Sequence, residues 1–64
     1  MKLEDLKGIG RVTAQRLRDA GVISVRQLAI MNPEELEEIA GIDIIRASRI
    51  IRAAKEALEM KNRP

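Results

Sequence analysis

Apolar residues recur along the chain at the three- and four-residue spacing of amphipathic helices, and no stretch shows the alternation of a strand. Glycines and capping residues interrupt this pattern at short intervals, which predicts several short helices. The predicted helices cover residues 2–7, 11–20, 25–30, 33–40 and 44–61. We therefore expect an all-α fold, a compact five-helix domain over residues 1–61 with a frayed tail at 62–64.

Local signals mark the ends of these helices. Ser24, followed three residues later by Gln27, has the form of a capping box before the third helix. Asn32 and Pro33 suit the N-cap and first positions of the fourth helix. Gly21 suits the left-handed position that ends the second helix.

The helical periodicity also predicts the core. The buried face of the second helix is predicted to comprise Thr13, Ala14, Leu17 and Ala20. That of the last helix is predicted to comprise Ala47, Ile50, Ile51, Ala54 and Leu58. Because the chain has no Phe, Tyr or Trp, this core is aliphatic and no aromatic side chain can stack on an exposed base.

Two segments, residues 6–17 and 39–50, share one pattern with a period of 33 residues from Gly8 to Gly41. Each runs from an apolar residue into Gly-Ile-Gly or Gly-Ile-Asp and then into a helix. This is the pattern of a helix-hairpin-helix, which holds backbone N–H groups against a nucleic-acid phosphate. A single Gly-Ile-Gly is typical of an ordinary interhelical turn. The duplicated pattern instead favours two helix-hairpin-helix motifs joined by the third helix.

The first hairpin carries the chemistry that a phosphate needs. Gly8 and Gly10 let the backbone approach a strand closely, and Ile9 between them pins the two helices together. The unpaired amides at the helix N-terminus supply donors and positive potential. The expected DNA-binding residues are Lys7, Gly8, Ile9, Gly10, Arg11, Val12, Thr13 and Arg16, together with Arg46 and Arg49 of the last helix.

The second copy of the motif is weaker. Asp43 replaces the second glycine, and its carboxylate would cap the last helix and repel a phosphate there. We therefore expect one phosphate-binding hairpin and one that is mostly structural, with basic side chains in support. Arg46, Arg49 and Arg52 also fit a second interpretation, a solvated helix face paired with acids of the same helix.

Charge is segregated along the chain. Residues 1–30 carry a net charge of +3, residues 31–45 one of −5 and residues 46–64 one of +4. Both basic segments contain a hairpin helix, which indicates one face suited to polyanions. The acidic block suits the N-terminal dipole of the fourth helix, so we expect no catalytic role for it. The 34% of charged residues and the Ile-rich core favour a thermophilic source.

Composition excludes several classes of function. The chain has no Cys and no His, so we expect no disulfide, zinc site, catalytic thiol or imidazole base, and no cofactor. The remaining polar residues form no catalytic constellation, so we expect no enzyme. No apolar run approaches the roughly 18 residues of a membrane span, and no signal peptide is visible, which predicts a cytoplasmic protein. The residues leave open whether the turn carbonyls hold a monovalent cation.

Longer stretches resemble a known family. Residues 3–10 (LEDLKGIG), 32–36 (NPEEL) and 47–58 (ASRIIRAAKEAL) resemble, in sequence and spacing, the N-terminal domain of archaeal RadA-type recombinases. The resemblance covers residues 3–60 and implies a compact domain that binds duplex DNA and helps deliver it to a recombinase filament. The same unit also resembles the repeats of NusA-type transcription factors.

Two positions depart from the family pattern. Lys7 stands where relatives commonly have Pro, which adds positive charge beside the hairpin. Asp43 stands where Gly or a small residue is common, and its carboxylate argues against phosphate binding at the second hairpin. The chain has no Gly-x-x-x-x-Gly-Lys-Ser/Thr loop, so we expect no ATP hydrolysis by that route.

Two functional hypotheses follow. The first is a sequence-nonspecific DNA-binding module that contacts the phosphate backbone of duplex DNA in recombination or repair, with a recombinase ATPase core or another protein as a further partner. The second is a protein-protein interaction module of a transcription or repair factor. In that case the acidic helix 32–41, or exposed Ile44 and Ile45, would dock the partner.

Overall fold

The computed structural model describes residues 2–61, and these residues are helical with short connections. A 3-10 turn over Leu3–Asp5 precedes four α-helices, α1 (Arg11–Asp19), α2 (Val25–Ala29), α3 (Pro33–Ala40) and α4 (Ile44–Lys61). Helices α2 and α3 pack against α4, α1 packs against α3, and the 3-10 turn packs against α1. The predicted all-α class is confirmed, while the predicted tail at 62–64 lies outside the described residues.

The predicted first helix over residues 2–7 is wrong, because this segment forms only the 3-10 turn. The Asp5 carboxylate accepts a hydrogen bond from the Lys2 amide at 2.9 Å and closes the turn on itself. Leu6 then takes an extended conformation, and Gly8 follows with φ at +96°. No second helical turn fits before this bend, so the described chain has four α-helices and one 3-10 turn rather than five α-helices.

The predicted ends of the other helices are confirmed to within one residue. The Ser24 hydroxyl accepts a hydrogen bond from the Gln27 amide at 3.2 Å, and the Gln27 side-chain oxygen accepts one from the Ser24 amide at 3.1 Å. The Asn32 amide donates to the Glu35 carboxylate at 3.4 Å at the start of α3. Each of these signals acts within one helical turn, which explains why it could be recognised in the sequence.

The core is aliphatic, and all five helical elements contribute to it. The buried members of the predicted faces are Ala14, Leu17, Ala47, Ile50, Ile51 and Ala54. Ala20, which was predicted to be buried, is exposed because it lies beyond the last residue of α1, where the chain leaves the helical path. Thr13 and Leu58 are half-buried.

Arg16 links the two halves of the repeat. Its Nη1 donates a hydrogen bond to the Ala40 carbonyl oxygen at 3.1 Å, at the C-terminal end of α3, where a cation suits the helix dipole. Gly41 follows with φ at +68° and leaves room for this guanidinium, since a β-carbon at position 41 would collide with the same nitrogen.

We therefore expect Gly41→Ala to lower the free energy of unfolding by about 1–2 kcal/mol, the usual penalty for an L-residue in the left-handed region. Chemical denaturation followed by circular dichroism measures the change. In an Arg16→Met background the penalty should shrink, because the colliding group is gone. An equal penalty in both backgrounds would show that Arg16 and Gly41 are not coupled.

A surface ion pair ties the 3-10 turn to α1. The Arg18 guanidinium bonds to the Glu4 carboxylate, and this hydrogen bond lowers the pKa of Glu4 below its ordinary value. Because the folded-state pKa is the lower one, the pair stabilises the fold above the ordinary glutamate pKa. That contribution is lost as pH falls through the folded-state pKa.

Arg18→Met is expected to raise the pKa of Glu4 towards that of an exposed glutamate, because the main cause of its depression is removed. Carbon-detected NMR titration of the Glu4 carboxyl measures this directly. Arg26→Met removes the same charge from α2 and serves as the control. An unchanged Glu4 pKa in the Arg18 variant would mean that the ion pair does not persist in solution.

Candidate nucleic-acid interface

The bend between the 3-10 turn and α1 is held in place by the core. The Ile9 side chain is buried, as its predicted role as an apolar pin requires, and the Ile9 amide donates to the Leu6 carbonyl oxygen at 3.2 Å. A β-carbon at Gly8 would lie 3.3 Å from the Ile50 side chain. The bend therefore packs directly against α4, and only glycine fits both this spacing and the positive φ.

The N-terminus of α1 carries no cap. Gly10, its N-cap residue, has an extended backbone and no side chain to accept from the helix amides. Among residues 2–61, no group accepts a hydrogen bond from the amides of Gly10, Arg11, Val12 or Thr13, and the Ala14 amide is the first to bond, to the Gly10 carbonyl oxygen at 2.9 Å. The space around Gly10 is open, since a β-carbon there would meet no heavy atom within 4 Å. These amides are thus free to bind an anion.

The corresponding turn before α4 is chemically different. Asp43 Oδ1 accepts a hydrogen bond from the Arg46 amide at 2.8 Å, which confirms the predicted cap. The carboxylate occupies the position an incoming anion would need and adds negative charge there. The first turn of the repeat therefore leaves the helix N-terminus uncapped, while the second has a carboxylate that caps the Arg46 amide.

A shallow groove of about 390 Å³ joins the first bend to α4. Its lining residues are Lys7, Gly8, Arg46, Arg49, Ile50 and Ala53. Arg46 and Arg49 lie about one helical turn apart on the same side of α4. No ion pair between described residues includes Lys7, Arg46 or Arg49, whereas Arg52 lies 4.0 Å from the Glu56 carboxylate. Of Arg46, Arg49 and Arg52, all of them exposed, only Arg52 is paired with an acid of the same helix, as the second interpretation predicted.

The structure brings four of the ten sequence-predicted site residues together in this groove. Lys7 and Gly8 meet Arg46 and Arg49 in the groove, and residues 10–13 follow along the same bend. Sequence reasoning did not identify Ile50 and Ala53 as part of this site. The only available signal was that Ala53 lies four residues after Arg49, where a small side chain leaves a groove open on one helix face.

Arg16 is the predicted site residue that the structure places elsewhere, against the end of α3. Of the side chains at the α1 N-terminus, those of Arg11 and Val12 are exposed and that of Thr13 is half-buried.

Within residues 2–61, no three His, Cys, Asp or Glu side chains gather in a way that could hold a metal ion. None of the helices in the described part of the chain has the length and apolar character needed to cross a membrane.

The chain belongs to the SAM-like helix-hairpin-helix tandem family, whose model matches residues 1–56. The predicted resemblance to archaeal RadA-type recombinases is confirmed by curated relatives. The DNA repair and recombination protein RadA of Aeropyrum pernix is 40% identical over 58 residues, which are 91% of this chain and 18% of that protein. The RadA proteins of Metallosphaera sedula and Methanocorpusculum labreanum are 36% and 38% identical over 92% and 94% of this chain. The chain spans about 18% of the length of each of these relatives.

Proposed function

We propose that this chain binds duplex DNA through its phosphate backbone, without reading base sequence, in recombination or repair. The observation that carries the proposal is the uncapped N-terminus of α1, with four amides free among the described residues. Helix N-termini of this kind bind phosphate through donors and dipole together. The family match, and relatives named as DNA repair and recombination proteins, support the choice of DNA as the polyanion.

In this proposal the fold contains two helix-hairpin-helix motifs with unequal roles. The 3-10 turn and α1 form the first, α3 and α4 form the second, and α2 connects them. The first supplies the amides of residues 10–13 to one phosphate. The second supplies the Arg46 and Arg49 side chains, which reach neighbouring phosphates across the groove that they share with Lys7.

The proposed residues of the first hairpin have two roles. Gly8 and Ile9 hold the bend against the core, whereas Arg11, Val12 and Thr13 contact the strand through their amides. Arg16 already bonds the Ala40 carbonyl through Nη1, so only its remaining N–H groups are available to a phosphate. We therefore assign Arg16 the smallest share of the DNA contact.

Binding to a labelled 20-base-pair duplex is expected to weaken with salt, with log K falling against log salt at a slope of about −2 to −4, for roughly two to four phosphates neutralised. The affinity should be micromolar or weaker, as for non-specific contacts. Fluorescence anisotropy at several salt concentrations gives both quantities. A flat salt response would contradict backbone binding.

The same titration tests the groove. Arg46→Ala and Arg49→Ala should each lower the affinity and reduce the slope by about one, because each removes one phosphate contact. Arg26→Ala, on α2 and outside the groove, removes the same charge and should change the slope little. Equal effects of all three variants would assign the binding to overall charge rather than to this site.

A second candidate function, a protein-protein interaction module, is favoured by one observation. Ile44 and Ile45 begin α4 with 40% and 63% of their surface exposed, as the sequence predicted. A recombinase ATPase core is the partner we propose for this case, because the chain covers so little of its relatives' length. In an NMR titration with duplex DNA, amide shifts at residues 8–13 support the first function. Shifts confined to residues 32–45, or none, support the second.

A further inference from the structure

A second groove, of about 360 Å³, lies on a different part of the surface. It runs between the α1–α2 connection, the C-terminal end of α2 and one side of α3. It shares no lining residue with the first groove, which contains Lys7, Arg46 and Arg49. Its volume falls at the lower end of the range for ligand clefts, about 300–1,000 Å³. The groove is therefore large enough to take side chains of a partner.

Aliphatic side chains give this groove its character. Met31 and Ile39 are half-buried in the core and turn part of their surface to the groove, and Ile30 beside them is 81% exposed. Ile30 is the most exposed large hydrophobic side chain among the described residues. Because its side chain is mostly exposed, Ile30 contributes little to the core.

The wall opposite α3 is held in place before any partner arrives. The Gln27 side chain donates to the Gly21 carbonyl oxygen at 3.1 Å and accepts from the Ile23 amide at 2.9 Å. These bonds tie the α1–α2 connection to α2. A preformed groove loses less conformational entropy on binding than one that must be ordered.

The groove has one acidic lining residue, Glu35. The same helix carries three further exposed glutamates outside the lining, Glu34, Glu37 and Glu38. No ion pair between described residues involves any of the four. Apart from a long bond from the Asn32 amide to Glu35, these carboxylates face solvent, so their negative potential is available to a partner.

We propose that this groove binds a basic peptide segment of another protein, which inserts branched aliphatic side chains beside Ile30 while a Lys or Arg side chain pairs with Glu35. The apolar floor selects for aliphatic side chains, and the Glu35 carboxylate selects for cations and repels a phosphate backbone. Because the two grooves share no residue, the chain could hold DNA at one and the peptide at the other. This inference is independent of the DNA proposal.

The test is a selection of random 12-residue peptides displayed on phage, performed on the 64-residue chain and counter-selected on the Ile30→Ser variant. We expect enrichment of peptides that combine Lys or Arg with Leu, Ile or Val. In NMR titration, the most enriched synthetic peptide should shift the amides of Gly21, Met31 and Ile39 and leave those of residues 10–13 unchanged.

Matched variants locate the contact. Ile30→Ser and Glu35→Lys should each lower the affinity for the peptide by about tenfold, which is the loss typical of a residue central to an interface. Met60→Ser removes another mostly exposed apolar side chain, from α4 and outside the groove, and should leave the affinity unchanged. Circular dichroism confirms that each variant is folded.

Three results would overturn the proposal. One is a selection that enriches nothing, or enriches acidic or neutral peptides. Another is self-association of the wild-type chain in sedimentation that Ile30→Ser abolishes, since a second copy would then be the occupant. The third is a duplex DNA titration that shifts the groove amides, which would make this surface part of the nucleic-acid site.

Discussion

Leu17→Ala is expected to lower the free energy of unfolding by roughly 2–4 kcal/mol, the range for truncating a buried leucine. Leu17 is completely buried in the middle of α1, and its carbonyl oxygen accepts a hydrogen bond from the Val22 amide at 2.8 Å. The other large side chains buried to a similar degree are Leu3, Leu28, Leu36 and Ile50. Replacing the isobutyl group with a methyl group leaves a cavity. Because the core is small, few neighbouring side chains can move to fill it.

This loss is a large part of the total free energy of unfolding, because folded proteins typically have only about 5–15 kcal/mol of net stability. Urea denaturation followed by circular dichroism measures it. Ile45→Ala is the control, since Ile45 is mostly exposed and its truncation should change stability by no more than about 0.5 kcal/mol. A loss below about 0.5 kcal/mol for Leu17→Ala would show that Leu17 is not a core residue.

Gly10→Asp should weaken duplex binding at least about fivefold, because a carboxylate about 4 Å from a phosphate costs roughly 1 kcal/mol even at the dielectric constant of water. The backbone at Gly10 is extended and the space for a side chain is open, so the fold should accept the substitution. Asp is also a better N-cap than Gly by a few tenths of a kcal/mol, so the variant should be slightly more stable. Loss of binding together with a gain in stability would be hard to explain by unfolding.

Fluorescence anisotropy with the same duplex, paired with thermal denaturation, gives both readouts. Gly10→Asn is the matched control, since Asn caps the helix with a side chain of the same size but no charge. Binding of the Asp variant as tight as that of the wild type would contradict the amide mechanism. Binding of the Asp variant well below that of the Asn variant would assign the effect to charge.

The helix ends of α1 to α4 could be predicted because their signals are local. Ser24 and Asp43 each accept a hydrogen bond from an amide in the next turn, and Asn32 and Pro33 occupy the N-cap and first positions of α3. The first element was predicted wrongly for a related reason. Helical composition before Gly8 could not reveal that the Asp5 carboxylate would close a tighter turn.

The candidate site was predictable in its parts but not in its assembly. The uncapped N-terminus at Gly10 and the capped one at Asp43 follow from one residue each. The role of Arg16 does not, because its partner Ala40 lies 24 residues away and the contact depends on how α1 crosses the end of α3. Ala20 was predicted to be buried but is exposed, because a helical pattern of apolar residues does not show at which residue the helix ends.

The sequence by itself determined the helical class, the repeat and which of the two turns has free amides, because these depend on neighbours along the chain. Only the tertiary structure decided that Lys7 meets Arg46 and Arg49 in one groove, and that Ile30 and Glu35 line another. These contacts join residues from separate segments of the chain. The packing of α2 and α3 on α4 and of α1 on α3 sets them, and no local pattern encodes that packing.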